Sequence, residues 1–266
     1  MSNGKVVHIY VAAHKDSPMI SGGIYLPIQV GCALASTRLP MAGDDTGDNL
    51  SSENGQYCEL TAQYWAWKND RTANVKGLAH YRRYFMDKAL CPLNEEQILE
   101  LLDQYDAILA YPVYKTKINE VLYRHHPERS SDMLKRLRKV LSENWPEYLQ
   151  AFDYYAYRYK QSFSNMIIAG TDCFDRYSEW LFDVLAKYRD AAGELPPRQL
   201  GFVAEYLTNT WMDTNQIRVK YIRTFNLEQR KLNPMRTIWT DFMVGIGVYD
   251  FFCWCWHIQD RLRNRY

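Results

Sequence analysis

The run "KVVHIYVAAH" (5–14) is apolar and rich in β-branched residues, and it predicts a first β-strand. "VKGLAHY" (75–81), "DAILAYPV" (106–113), "SNMIIAG" (164–170) and "IRVKYIRTF" (217–225) read as further strands. The segments between them carry a helical period. In "YCELTAQYWAWKN" (57–69), Leu60, Tyr64 and Trp67 form one stripe at i, i+4, i+7. Asn94 can cap the helix "EEQILELLDQY", with Gln97 in the capping-box position. "TDCFDRYSEWLFDVLAKYRD" (171–190) is amphipathic, with Thr171 or Asp172 as its cap. "PPRQLGFVAEYLTNTW" (196–211) puts prolines in a first helical turn. "YLPIQVGCALAS" (25–36) reads as a short helix, "AGDDTGDNLSSENG" (42–55) as a polar loop, and 130–161 as helix-rich. From 234 onward the chain reads as helical and aromatic. Strands alternating with helices predict an α/β fold, with helices packed on a mainly parallel sheet.

Bulk properties narrow the partners. With 266 residues the chain makes one or two domains. A formal net charge of +1 gives no argument for a nucleic-acid partner. Aromatics reach 15%, which suits carbohydrate or membrane-interface contact as well as an aromatic core. The six cysteines (32, 58, 91, 173, 253 and 255) form no CxxC pair and no zinc spacing, so they read as reduced thiols of a cytoplasmic protein. There is no signal-peptide pattern, and no run approaches the ~18 apolar residues of a spanning helix.

Three constellations carry candidate chemistry. "HYRR" places His80, Tyr81, Arg82 and Arg83 where a strand leaves the core. In an open α/β sheet that is the ligand edge. Two adjacent guanidiniums there can bind a phosphate or diphosphate bidentately; the alternative is a surface turn paired with carboxylates. "DDTGDN" brings Asp44, Asp45 and Asp48 together beside Asn49. A single Asp-Thr-Gly does not make an aspartic protease, and the spacing is not that of an EF-hand. A sugar-hydroxyl loop, a divalent-metal site and a solvated turn remain open. In "PPRQLGFVAEYL", Arg198 and Glu205 are seven apart on one helical face, with Gly201 on the same side. Glycine there admits a ligand or another backbone, and Glu205 becomes a candidate general base; a solvent-facing pair is the alternative. His14, His80 and the pair His125–His126 match no metal-ligand pattern.

The order "IYVAAHK … YLPIQVG … DDTGDN … YCELTAQYWAWKN … GLAHYRRYF … NMIIA … WLFDVL … R-x-x-GF-x-x-E-x-L" resembles bacterial capsular and exopolysaccharide biosynthesis proteins. That family is labelled a domain of unknown function, and some members are described as galactofuranosyltransferases. The resemblance spans about residues 5–225, and "DDTGDN" and "HYRRYF" are its most specific blocks.

The resemblance implies a GT-A-like, Rossmann-type glycosyltransferase domain (1–230) followed by an aromatic, basic tail (231–266). It implies a hexosyl donor linked to UDP, with UDP-galactofuranose favoured, and a glycan acceptor on a lipid carrier, in capsule, O-antigen or exopolysaccharide synthesis. GT-A enzymes commonly hold a metal with Asp-x-Asp at the strand end where this chain has His80-Tyr81-Arg82-Arg83. Metal-independent catalysis is therefore favoured, with the arginines on the departing UDP. Manganese or magnesium on Asp44, Asp45 or Asp48 is the alternative. By the same resemblance His14, Lys15 and Tyr81 meet the nucleotide, Asp44, Asp45, Asp48 and Asn49 hold sugar hydroxyls or uridine, and Glu205 takes the acceptor proton beside Arg198 and Gly201. Two other readings are a non-catalytic glycan- or nucleotide-sugar-binding subunit and a nucleotide-sugar phosphodiesterase. Residues 216–266 hold nine Lys/Arg and four acids, a net of +5, among clustered Trp and Phe. That composition suits peripheral contact with the anionic inner face of the cell membrane; a packed terminal helix and a dimer interface are the alternatives.

Overall fold

The computed structural model describes residues 4–114, 131–157 and 160–227. In chain order, β1 (Val7–Ala13), β2 (Tyr25–Gln29) and β3 (Ala42–Gly43) precede α1 (Asn54–Tyr57) and α2 (Leu60–Asn69). Next come β4 (Val75–His80), β5 (Arg83–Phe85), α3 (Glu95–Gln104), β6 (Ala107–Ala110) and β7 (Val113–Tyr114). Then follow α4 (Ser131–Asn144), α5 (Leu149–Tyr157), β8 (Lys160–Gln161) and β9 (Ile167–Gly170). The last elements are α6 (Thr171–Ala192), α7 (Gln199–Thr214), β10 (Val219–Ile222) and β11 (Thr224–Asn226).

Among the described residues the main sheet runs β10-β6-β9-β4-β1-β2-β3, with β5 and β11 joined at the side. β1 is parallel to both β2 and β4, β2 to β3, and β6 to β10; β9 alone on this path runs against its neighbours. The fold is thus the expected α/β type, a mainly parallel sheet flanked by helices. Buried parallel strands read as continuous apolar runs, because both faces are covered. On β1, Tyr10 and Ala12 enter one core with α2, α6 and α7, while Ile9, Val11 and Ala13 enter a second core with α3. Each fully buried Ile or Leu contributes about 1.5–3 kcal/mol.

Several boundaries differ from the sequence expectation. The run 25–36 is not a helix: it forms β2 and a 3₁₀ turn at Cys32–Leu34. A short apolar run fits either state, and pairing with β1 decides it. Residues 106–113 split into β6 and β7 around Pro112, and 217–225 split into β10 and β11, which join different neighbours. The helix-rich stretch ends in β8. Helix α6 gains no side-chain cap from Thr171 or Asp172, because it starts at Thr171 and the Thr171 hydroxyl donates to the Ala73 carbonyl instead. Pro196 and Pro197 lie before α7, whose cap is Arg198 in the left-handed region (φ 65°). The Asn94–Gln97 capping box forms as expected. The tail 231–266, His125–His126 and Cys253/Cys255 lie outside the described residues; Cys32, Cys58, Cys91 and Cys173 are free thiols. Among the described residues no helix is long and apolar enough to cross a membrane.

Candidate active site

The carboxyl ends of β1, β2, β4 and β6 open on one side of the sheet, and the reversed β9 is entered from that side. A cavity of about 940 Å³ lies there. This is the upper end of the roughly 300–1,000 Å³ of small-molecule clefts. β1 delivers His14 and Lys15 to it, β2 delivers Val30, β4 delivers His80 to Arg83, and β6 delivers Tyr111. The loop before β9 adds Phe163 and Ser164, the α1–α2 turn adds Cys58 and Glu59, and the start of α7 adds Arg198, Phe202 and Glu205.

The cationic side is built around the buried Tyr81 ring. His14 meets that ring edge-on at 5.4 Å, and the Lys15 ammonium and Arg82 guanidinium lie 5.5 and 5.6 Å from its centre. Such cation–ring contacts help to hold long side chains in place. Burial, then Lys15, Arg82 and Arg198, lowers the His14 pKa, so the imidazole favours its neutral form. Arg83 is fixed differently. It opens β5, pairs in register with Asn226 of β11, and the Arg82 carbonyl accepts the Leu227 N–H at 2.8 Å. Arg198 lies over the Phe202 ring (5.2 Å) and donates to the Cys58 thiol. Burial pushes that thiol up to about 11, with Glu59 adding to the effect, so it stays protonated.

The anionic side holds Glu205 and Glu59. Glu205 Oε1 accepts the Ser164 N–H at 3.0 Å, and Glu59 Oε1 accepts from Asn165 Nδ2 at 2.8 Å. His80 Nε2 lies 3.7 Å from Glu59 Oε1. Glu59 escaped the sequence reading because its partners are far away in the chain. The signal was faint: a carboxylate just after Cys58, whose φ of 54° bends the chain into the site.

The structure brings His14, Lys15, His80, Tyr81, Arg82, Arg83, Arg198 and Glu205 to one cavity. Arg198 arrives as the cap of α7 rather than from its face. Gly201 does not line the cavity. A Cβ there would meet Cys58 Sγ at 3.3 Å, so the glycine makes room for the Cys58 side chain of the α1–α2 turn and not for a ligand.

The "DDTGDN" loop also stays away from the cavity. Its acids are engaged internally. Asp44 is fully buried and accepts from the Gly31 and Cys32 N–H groups (2.9 and 3.0 Å) and from the Ser51 hydroxyl. Asp45 pairs with Arg38, which holds its carboxyl below the ordinary carboxylate range. Asp48 accepts from the Tyr64 hydroxyl, and its backbone bonds Asn69 in both directions. Asn49 bonds the Gly47 carbonyl and the Ser51 N–H. Gly47 is obligatory, since at φ 57° a Cβ would sit 2.0 Å from Asn69 Oδ1. The loop is a latch onto α2, completed by Trp65 Nε1 donating to Thr46. Among the described residues no three His, Cys, Asp or Glu side chains cluster as metal ligands.

At the carboxyl edge of a mainly parallel sheet, one cavity thus gathers Lys15, Arg82, Arg83 and Arg198 with the carboxylates Glu59 and Glu205, and the comparisons with known proteins bear on what it does. A solved structure titled "WbbM bifunctional glycosytransferase apo structure" superposes with a TM-score of 0.76 at 28% identity, over 86% of this chain and 46% of that one. This chain therefore spans about half of that protein. The chain belongs to the family described as Domain of unknown function (DUF4422), which matches residues 8–216. No curated protein sequence matches it.

Proposed function

We propose that the chain is a glycosyltransferase that moves a hexosyl group, galactofuranose by preference, from a UDP-sugar to a glycan acceptor in bacterial capsule, O-antigen or exopolysaccharide synthesis. The observation that carries this reading is that Arg82, Arg83 and two carboxylates, Glu59 and Glu205, line one cavity at the carboxyl edge of the sheet. The likeness to a solved glycosyltransferase supports it. Arg82 and Arg83, with Lys15 and Arg198 on the same cavity, meet the donor diphosphate. Fixed positive charge aimed at the leaving group stabilises the charge that develops as the glycosidic bond breaks, which is the work a metal ion does elsewhere. The proposed reaction needs no metal for that reason; manganese or magnesium on the diphosphate is the competing form. A carboxylate of the same cavity takes the proton from the acceptor hydroxyl as its oxygen attacks the anomeric carbon. A binding subunit would keep the cations and would have no use for a general base.

The acceptor is proposed to be lipid-linked, with the basic, aromatic segment 231–266 meeting the cytoplasmic membrane face. The test is a thermal-shift screen with UDP, UDP-galactofuranose and other UDP-sugars, followed by transfer of the best binder to a synthetic glycan. Stabilisation by UDP and by one UDP-sugar, then a transfer product, is the expected result. No stabilisation by any of them would end the proposal.

A further inference from the structure

At the cavity floor, donors and acceptors do not balance. His80 ends β4, Glu59 caps α2, and the loop Phe163–Asn165 leads into β9. The His80 ring bonds the backbone of Ser164 in a way that favours the protonated imidazole, so a ring N–H donates to the Ser164 carbonyl. His80 Nε2 is buried without a hydrogen-bond partner among the described residues. With Nε2 unpartnered, the proton is assigned to Nδ1, and in that tautomer the neutral ring keeps its lone pair on Nε2. That lone pair faces Glu59 Oε1 at 3.7 Å. Two acceptors set opposite each other hold room for one proton that neither carries.

We propose that Glu59, backed by His80, takes the proton of the attacking acceptor hydroxyl, and that Glu205 is a positioning residue. This rests on the glycosyltransferase reading above. The acceptor O–H bond breaks and its proton passes to the Glu59 carboxylate, which shares it with His80 Nε2. The oxygen pair so released forms the bond to the anomeric carbon. The bond from that carbon to the diphosphate oxygen breaks, and its electrons leave with UDP beside Arg82 and Arg83.

The surroundings fit these roles. Burial lowers the His80 pKa, Arg83 and Arg82 on the β4–β5 turn act the same way, and Glu59 opposes them. The ring is thus held in its neutral form, and the Glu59 charge is what favours its sharing a proton. Glu59 also faces Cys58 and Arg198. Glu205 instead holds the loop: Ser164 and Asn165 are both in the left-handed region (φ 91° and 50°), a conformation that non-glycine residues keep only when their surroundings enforce it. By binding the Ser164 N–H, Glu205 fixes the loop that sends the Ser164 carbonyl to His80 and the Asn165 amide to Glu59.

The experiment compares Glu59→Gln and Glu205→Gln with the unmodified chain. It reads transfer, UDP affinity by calorimetry, and the tautomer and titration of His80 by ¹⁵N NMR. Glu59→Gln should slow transfer roughly 100- to 10,000-fold, the range for a lost general base, with UDP affinity unchanged. His80 should titrate lower in that variant, because the one charge favouring its protonation is gone. Glu205→Gln keeps an oxygen for the Ser164 N–H and should lose far less. Near-normal transfer by Glu59→Gln, an unmoved His80 titration, or a proton on Nε2 in the neutral ring would overturn the assignment. If the unmodified chain transfers and Glu59→Gln does too, the assignment alone fails. If the unmodified chain transfers nothing, the glycosyltransferase reading fails and takes the assignment with it.

Discussion

Replacing Asp44 by alanine separates a structural "DDTGDN" loop from a ligand-binding one. The Asp44 carboxylate is fully buried and accepts the Gly31 and Cys32 N–H groups and the Ser51 hydroxyl. Alanine leaves all three donors without an acceptor. An unsatisfied buried donor costs about 1–3 kcal/mol, so three set a ceiling near 9 kcal/mol. Water entering the vacated space would restore part of this, and a net loss of about 3–5 kcal/mol is expected. Domains are stable by about 5–15 kcal/mol, so the variant should still fold. Urea unfolding followed by far-UV circular dichroism measures the change. With a slope of about 2–3 kcal/mol/M, the midpoint should fall by roughly 1–2.5 M. UDP affinity of the folded variant, measured by calorimetry well below its midpoint, should be unchanged. A stability loss under about 1 kcal/mol, or a large loss of UDP affinity at unchanged stability, would refute the structural assignment of the loop.

Three further outcomes are expected. Arg82→Ala and Arg83→Ala should each weaken UDP binding and slow transfer roughly 100- to 1,000-fold, as for a lost preorganised charge contact; calorimetry and initial rates check this, and unchanged values in both would return the pair to a surface turn. Dialysis against EDTA should leave transfer largely intact. A deep loss restored by manganese would mean that a metal ion, and not the arginines alone, carries the leaving-group charge. The full chain should co-sediment with anionic liposomes at low salt and a chain ending near residue 233 should not, while equal behaviour of the two would end the membrane role proposed for the tail.

The parts of the fold written in local pattern were legible. The strand β1, the helix α6 and the Asn94–Gln97 capping box follow from runs of a few residues whose side chains act on their own neighbourhood. Residues 25–36 were not legible, because the same apolar run suits a helix or a buried strand and only β1, laid alongside, chooses. The site divided in the same way. Arg82, Arg83 and His80 were found because a strand end announces itself. Glu59 was missed because its meaning comes from Asn165 and His80, brought to it by the sheet. "DDTGDN" lies away from the cavity with its acids bonded to their own surroundings, and a cluster of acids looks alike in sequence whether it holds a ligand or its own backbone.

The pairing of β11 with β5 sets a limit on how this protein can be cut and joined. The family match stops at residue 216, yet Thr224 lines the cavity, and Asn226 and Leu227 hold the backbone of the two arginines. The cavity therefore draws on residues beyond the matched family span. A chain trimmed to that boundary would keep most of its sheet and lose the brace behind its anion-binding turn. Crystallisation fragments, domain fusions and chimaeras with larger transferases should place their junctions after Leu227.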